Sequence, residues 1–125
     1  MTQSHSFRDL KVWQRAMDLV EAVYVATNAF PAEERFGLTA QVRRAIVSVP
    51  SNIGEGARRK RRKAFLHHLD IALGSQGEVE VQLEIARRLQ FISTDAYARL
   101  QPRIEEVGKM LNGLINSLQD DEDHA

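Results

Sequence analysis

At 125 residues the chain is the size of one domain, long enough to bury a real core. Seventeen Lys/Arg balance seventeen Asp/Glu, which argues against an undirected nucleic-acid coat, and the absence of cysteine excludes a disulfide framework and thiolate chemistry. No signal-peptide core and no run near the ~18 apolar residues of a membrane span is present, so a soluble cytoplasmic protein with no membrane partner is expected.

In chain order, residues 1–8 read as an N-terminal arm, with Ser6 and Asp9 spaced as a helix start. From about Asp9 a first helix carries two apolar stripes. Leu10, Trp13, Met17, Val20 and Tyr24 form one; Val12, Ala16, Leu19, Val23 and Ala26 form the other. A helix apolar on two sides is covered twice, by its own bundle and by another subunit. Pro31 ends it, because the residue before a proline is pushed out of helical conformation. Phe30 to Gly37 is the connecting loop, with a turn of helix after the proline.

A second helix runs from Leu38 or Thr39, with Thr39 a fair cap, to Ala57 or Arg58. Val42, Ile46, Val49, Ile53 and Ala57 make its apolar face. Pro50 lies inside, where it removes one backbone bond. Ser48, Ser51 and Asn52 stand ready to satisfy the freed carbonyl, so a kink rather than a break is expected. A third helix spans about Arg62 to Leu89, with Leu69, Leu73, Gln76, Val79, Leu83 and Ala86 on one stripe and Ile71, Val81, Ile85 and Leu89 on another. Gly74, Ser75 and Gly77 are small enough to admit a neighbouring backbone. A fourth helix opens near Thr94 and shows a bundle-seam spacing from Tyr97 through Leu100, Ile104, Val107 and Leu111 to Leu118. Residues 120–125, DDEDHA, read as an acidic disordered tail.

Four such segments on short connections, with no strand-period stretch, predict an all-α fold: an antiparallel up-down four-helix bundle over residues 9–119. The doubled stripes of the first and third helices predict a homo-oligomer.

No catalytic site is legible, and no metal or cofactor is expected. A di-iron bundle needs Glu-x-x-His pairs, which the helices lack. His67 and His68 are adjacent and point apart, as surface histidines do. The segment Gly54-Glu55-Gly56 has no strand before it and is no phosphate loop.

Two features remain. A polar stripe of Gln41, Arg44, Ser48, Asn52 and Glu55 runs along the second helix. It reads either as a structural network completed by Ser75, Gln76 or Glu78 of the third helix, or as a recognition groove. The run Arg58-Arg59-Lys60-Arg61-Arg62-Lys63 follows. With Arg43 and Arg44 it gives residues 43–63 eight cations against one acid, Glu55, a local charge of +7. It reads either as a solvated linker or as a phosphate-binding patch, for which the planar fork of Arg is suited. No aromatic residue interrupts it, so contacts to backbone and shape rather than base stacking are expected.

Phe7-x-x-Leu10-x-Val12-Trp13-Gln14-x-Ala16, Phe30-Pro31, Gly37-Leu38-x-x-Gln41-x-Arg43-Arg44-Ala45-x-x-Ser48-x-Pro50-Ser51-Asn52-Ile53-x-Glu55-Gly56 and Gly74-Ser75-x-x-Glu78 closely resemble the bundle proteins encoded in intervening sequences of bacterial 23S ribosomal RNA genes. The resemblance covers about residues 7–118. It implies a four-helix bundle assembled as a homopentamer, without known catalytic activity. The chain also resembles the accessory bundle proteins of diversity-generating retroelements, basic pentamers that bind nucleic acid and a reverse transcriptase. The expectation is a non-catalytic oligomeric bundle that binds structured RNA through Arg58–Lys63, helped by Arg43 and Arg44. The alternative is an assembly or scaffold protein that binds another protein.

Overall fold

The computed structural model describes residues 6–123, and the regular structure among them is entirely helical. Four helices, α1 (Lys11–Thr27), α2 (Leu38–Ala57), α3 (Arg62–Arg88) and α4 (Thr94–Asp123), follow in order, with 3-10 turns at Phe7–Asp9 and Ala32–Glu34. Each helix packs on the next, and α1 closes on α4. The enclosed core holds Leu19 and Val23 of α1, Ile46 and Ile53 of α2, Leu69 and Leu83 of α3, and Ile104 and Leu111 of α4, all at most 2% exposed. Burying one such side chain stabilises the fold by about 1.5–3 kcal/mol.

The helix ends explain where the boundaries fall. Ser6 Oγ accepts from the Arg8 N–H at 3.1 Å and starts the 3-10 turn, and the extended backbone of Leu10 separates that turn from α1. The first helix therefore begins at Lys11 rather than Asp9. Phe7, inside the expected arm, meets Trp13 edge to face with ring centroids 5.1 Å apart. At the start of α2 the cap is not Thr39, which is buried. Glu34 Oε1 accepts from the Leu38 N–H at 3.0 Å, and Gly37 makes room for it: a Cβ there would lie 2.9 Å from that oxygen.

Helical structure continues through Pro50. Asn52 Nδ2 does not reach the carbonyl that the proline frees; it donates to Ser48 O at 2.9 Å, one turn back. The third helix stops in a Schellman motif. Gln90 adopts φ 64°, Phe91 N–H donates to Ala86 O at 2.8 Å, and Gln90 N–H donates to Arg87 O at 3.1 Å. Ser93 Oγ then accepts from the Ala96 N–H at 3.1 Å and starts α4, which runs to Asp123. Residues 120–123 thus extend the last helix; the rest of the expected tail, and residues 1–5 of the arm, lie outside the described residues.

Close approaches occur, but not at the glycines expected to provide them. Nothing lies within 4 Å of where a Cβ would stand on Gly74 or Gly77. At Gly56 a Cβ would stand 2.7 Å from His68 Cβ, so α2 and α3 touch where they join. The second stripe of α3 faces outward: Ile71, Val81, Ile85 and Leu89 are 40–61% exposed. Among the described residues no helix is long and apolar enough to cross a membrane.

Candidate nucleic-acid interface

The six-cation run occupies the junction of α2 and α3. Four residues, Arg58 to Arg61, connect the helices, and backbone bonds fix both sides of the turn. Arg58 N–H donates to Gly54 O at 3.3 Å, Arg59 N–H to Gly56 O at 3.1 Å, and Phe65 N–H to Arg61 O at 3.1 Å. The glycine at 56 lets the helices meet closely enough for so short a link. All six side chains are exposed.

One cation of the run is neutralised. Arg59 reaches back one turn to Glu55, at 2.5 Å, an exposed i,i+4 pair of small energetic weight. Arg58, Lys60, Arg61, Arg62 and Lys63 have no carboxylate partner among the described residues. Their placement is asymmetric with respect to the helix dipoles. Arg58 and Arg59 follow the C-terminal end of α2, where positive charge is favourable. Arg61, Arg62 and Lys63 crowd the N-terminal end of α3, where each cation costs about 0.3–1 kcal/mol. No side chain caps that end. Exposed N–H groups and unpaired cations together form a positive surface that an anion would relieve.

Arg43 and Arg44 stand elsewhere. At 1.5 Å rise per residue they lie roughly 20 Å along α2 from Arg58. Arg43 is committed to the α1–α2 packing. Its guanidinium donates to Thr27 Oγ1 at 2.8 Å, Asn28 Oδ1 at 3.0 Å and Tyr24 O at 3.3 Å, and lies over the Tyr24 ring at 4.6 Å. The eight cations therefore do not make one patch.

The polar stripe also divides. Gln41, Arg44 and Ser48 of α2 face Ser75, Glu78 and Gln82 of α3 across a groove of about 410 Å³. Ser48 and Ser75 share a hydrogen bond of 2.8 Å. Asn52 continues the line away from the groove: Nδ2 donates to Ser48 Oγ at 3.0 Å, and Oδ1 meets His68 Nδ1 at 3.1 Å. Half-buried His68 is thus a tie between helices, while His67 is exposed. Glu55 leaves the stripe. It borders an apolar groove of about 400 Å³ with Phe7, Trp13, Met17 and Pro50. An ideal helix drifts about 20° per seven residues, so fourteen residues from Gln41 the stripe has turned toward α1. Gln76, a candidate partner for the stripe, instead serves α4: it is 6% exposed and its Nε2 donates to Ile104 O at 3.0 Å. No cluster of three or more His, Asp or Glu positioned for a metal occurs among the described residues.

Residues 8–113 match the family described as 23S rRNA-intervening sequence protein. The chain belongs to that family. Its fold is shared by a crystal structure from Bacteroides thetaiotaomicron, described as a protein with unknown function from the S23 ribosomal protein family. The two superpose with a TM-score of 0.78 at 24% identity, over 84% of this chain and 95% of the other. No curated protein matches. The span of the 23S rRNA-intervening sequence family takes in both the cationic junction and the polar groove, and neither the family description nor the Bacteroides structure carries an assigned activity.

Proposed function

We propose that this 23S rRNA-intervening sequence protein is a non-catalytic, self-assembling bundle of the cytoplasm that binds structured RNA through Arg58–Lys63. The observation that carries the reading is the junction itself. Five cations without carboxylate partners stand at a turn held by two helices, three of them at a helix end that positive charge destabilises. Selection for stability alone disfavours that arrangement; contact with phosphates uses it. The family description, which links these proteins to rRNA genes, supports RNA as the source of the phosphates. Arg44 is a lesser contributor on this reading, and Arg43 a structural one.

The proposed topology is up-down and antiparallel, with α2 bent at Pro50. The pairings Gly56 with Phe65 and His68, Asn52 with His68, and Ser48 with Ser75 support it, since numbers fall on one helix as they rise on the other. The outward stripe of Ile71, Val81, Ile85 and Leu89, flanked by open space at Gly74 and Gly77, supports self-association, with a homopentamer as the assembly.

Filter binding of the wild type and a variant with residues 58–63 changed to Gln or Ser, across a salt series, tests the RNA reading. Neutralising five phosphates, one for each unpaired cation, gives a log–log salt slope of about −3.5 to −4.5. Equal affinity of the two proteins, or a flat salt response, removes it. A partner retained through nuclease and high salt instead identifies a protein scaffold, to which the exposed α3 stripe would then belong. A monomer by sedimentation removes the assembly.

A further inference from the structure

The groove between α2 and α3 holds hydrogen-bonding capacity that the chain does not use. Ser48 and Ser75 have two hydroxyl protons and share one bond, and Ser48 Oγ also accepts from Asn52. Whichever serine donates, one O–H remains without an acceptor among the described residues. Ser75 is 7% exposed and Ser48 half-buried, so the spare proton lies on the wall of the groove in either case. On the same wall Gln82 Oε1 is buried with no donor. Such atoms are uncommon in folded proteins and call for an explanation. The terminal torsion of glutamine is soft, so a turn of the amide presents that oxygen to the groove. At the rim stand one cation, Arg44, and one anion, Glu78. Neither is engaged in an ion pair or a hydrogen bond among the described residues, although both border the same space.

The unused groups form complementary sets. Arg44 and the serine hydroxyl are donors suited to a carboxylate, which the planar guanidinium meets with two parallel bonds. Glu78 and Gln82 Oε1 are acceptors suited to an ammonium group, which has three N–H donors and no acceptor. A simple anion would satisfy the first set and leave the second; a simple cation would do the reverse. We propose that this groove binds a small zwitterion of the α-amino-acid class, its carboxylate on Arg44 and the Ser48–Ser75 pair and its ammonium on Glu78 and Gln82. The space, about 410 Å³, accommodates a molecule of that size with its side chain toward solvent. The site is separate from the cationic junction, roughly 15–20 Å along α2.

The probes are the standard L-amino acids, titrated singly into ¹⁵N-labelled full-length protein in its native assembly. At least one is expected to bind saturably in the micromolar to millimolar range and to move the side-chain amide resonances of Gln82. Arg44→Gln and Glu78→Gln each weaken it about tenfold or more, as loss of a charged hydrogen-bond partner does. Blocking either end of the same amino acid, as its N-acetyl or carboxamide form, has a matching effect. Lys109→Gln, a neutralised cation on α4, leaves binding unchanged and controls for net charge. Both groove variants remove an exposed side chain, and their helical circular dichroism confirms folding before titration. No saturable shift with any amino acid into the millimolar range overturns the proposal. So does binding that survives both variants, or that ignores the blocking groups.

Discussion

Gly108 of α4 and Gln76 of α3 compete for one small volume: a Cβ on Gly108 would lie 2.7 Å from Gln76 Nε2. That nitrogen donates to the Ile104 carbonyl and to Glu80 Oε1, both at 3.0 Å, from a side chain only 6% exposed. Inside a helix alanine ordinarily gains about 1 kcal/mol over glycine. Here the added methyl drives the amide off the Ile104 carbonyl, and a buried polar group that loses a partner costs about 1–3 kcal/mol. Gly108→Ala is expected to lower stability by about 1 kcal/mol net in urea denaturation. A raised midpoint would show that the amide has somewhere else to go.

The opposite sign is expected where no atom stands above the glycine. Gly113→Ala on α4 meets open space and should gain up to about 1 kcal/mol. Gly74→Ala and Gly77→Ala gain similarly within one chain, but they place a methyl on the outward stripe of α3. If copies meet there, sedimentation shows these two weakening the assembly while Gly113→Ala leaves it intact. Identical behaviour of all three moves the contact to another face.

Arg62 opens α3 with positive charge at the positive end of the helix dipole. Arg62→Glu is expected to raise stability by about 0.5–1 kcal/mol in low salt. The same change should weaken RNA binding and make the salt slope shallower by more than one unit, because a contact is both lost and reversed in sign. Thermal melts and filter binding on one preparation separate the effects. A variant that is more stable and binds as before would assign the run to solubility alone.

Arg43 carries three hydrogen bonds and a ring contact across the α1–α2 packing. Arg43→Ala is expected to cost about 1–3 kcal/mol. Arg43→Lys keeps the charge but not the planar fork, and should recover less than half of that. RNA affinity per folded molecule is expected to stay within about twofold, in contrast to the junction variants. A tenfold loss would return Arg43 to the binding surface.

Glu84 accepts a hydrogen bond from Arg87 Nε at 2.6 Å, which holds its carboxyl below the usual glutamate range; the same bond raises the Arg87 guanidinium. A carboxyl depressed by folding adds stability at pH above its unfolded value, and that contribution disappears as pH falls through the folded one. Both groups are exposed, so the effect on stability is small. NMR titration of the Glu84 Cδ shift should show a low midpoint that rises on Arg87→Ala. An unchanged midpoint would mean the pair does not persist in solution.

Much of the fold was legible because helical period is a local property. The spacing that put Val12, Ala16, Leu19 and Val23 on one side, and Leu100, Ile104, Val107 and Leu111 on another, is the spacing that buries them. The outward stripe of α3 was visible for the same reason. The site was less legible because it depends on rotation between helices. Nothing local reveals that Glu55 turns away from Ser48, that Arg43 reaches α1, or that Gln82 completes the groove. Gln82 had one signal available: it follows Ser75 and Glu78 at helical spacing. Gly56 and Gly108 were equally silent, since a glycine admits a neighbour only once the neighbour is placed. Thr39 lost its capping role to Glu34, a long side chain arriving from the preceding turn.

The link between α2 and α3 is four residues long and hydrogen-bonded at each side. The backbone that carries its guanidinium and ammonium groups is therefore a stiff bracket, too short to wrap an incoming strand. A polyanion must bring its own curvature to match. If it binds RNA as proposed, such a surface sorts targets by contour, as a mould does, and flexible single strands are expected to bind it poorly.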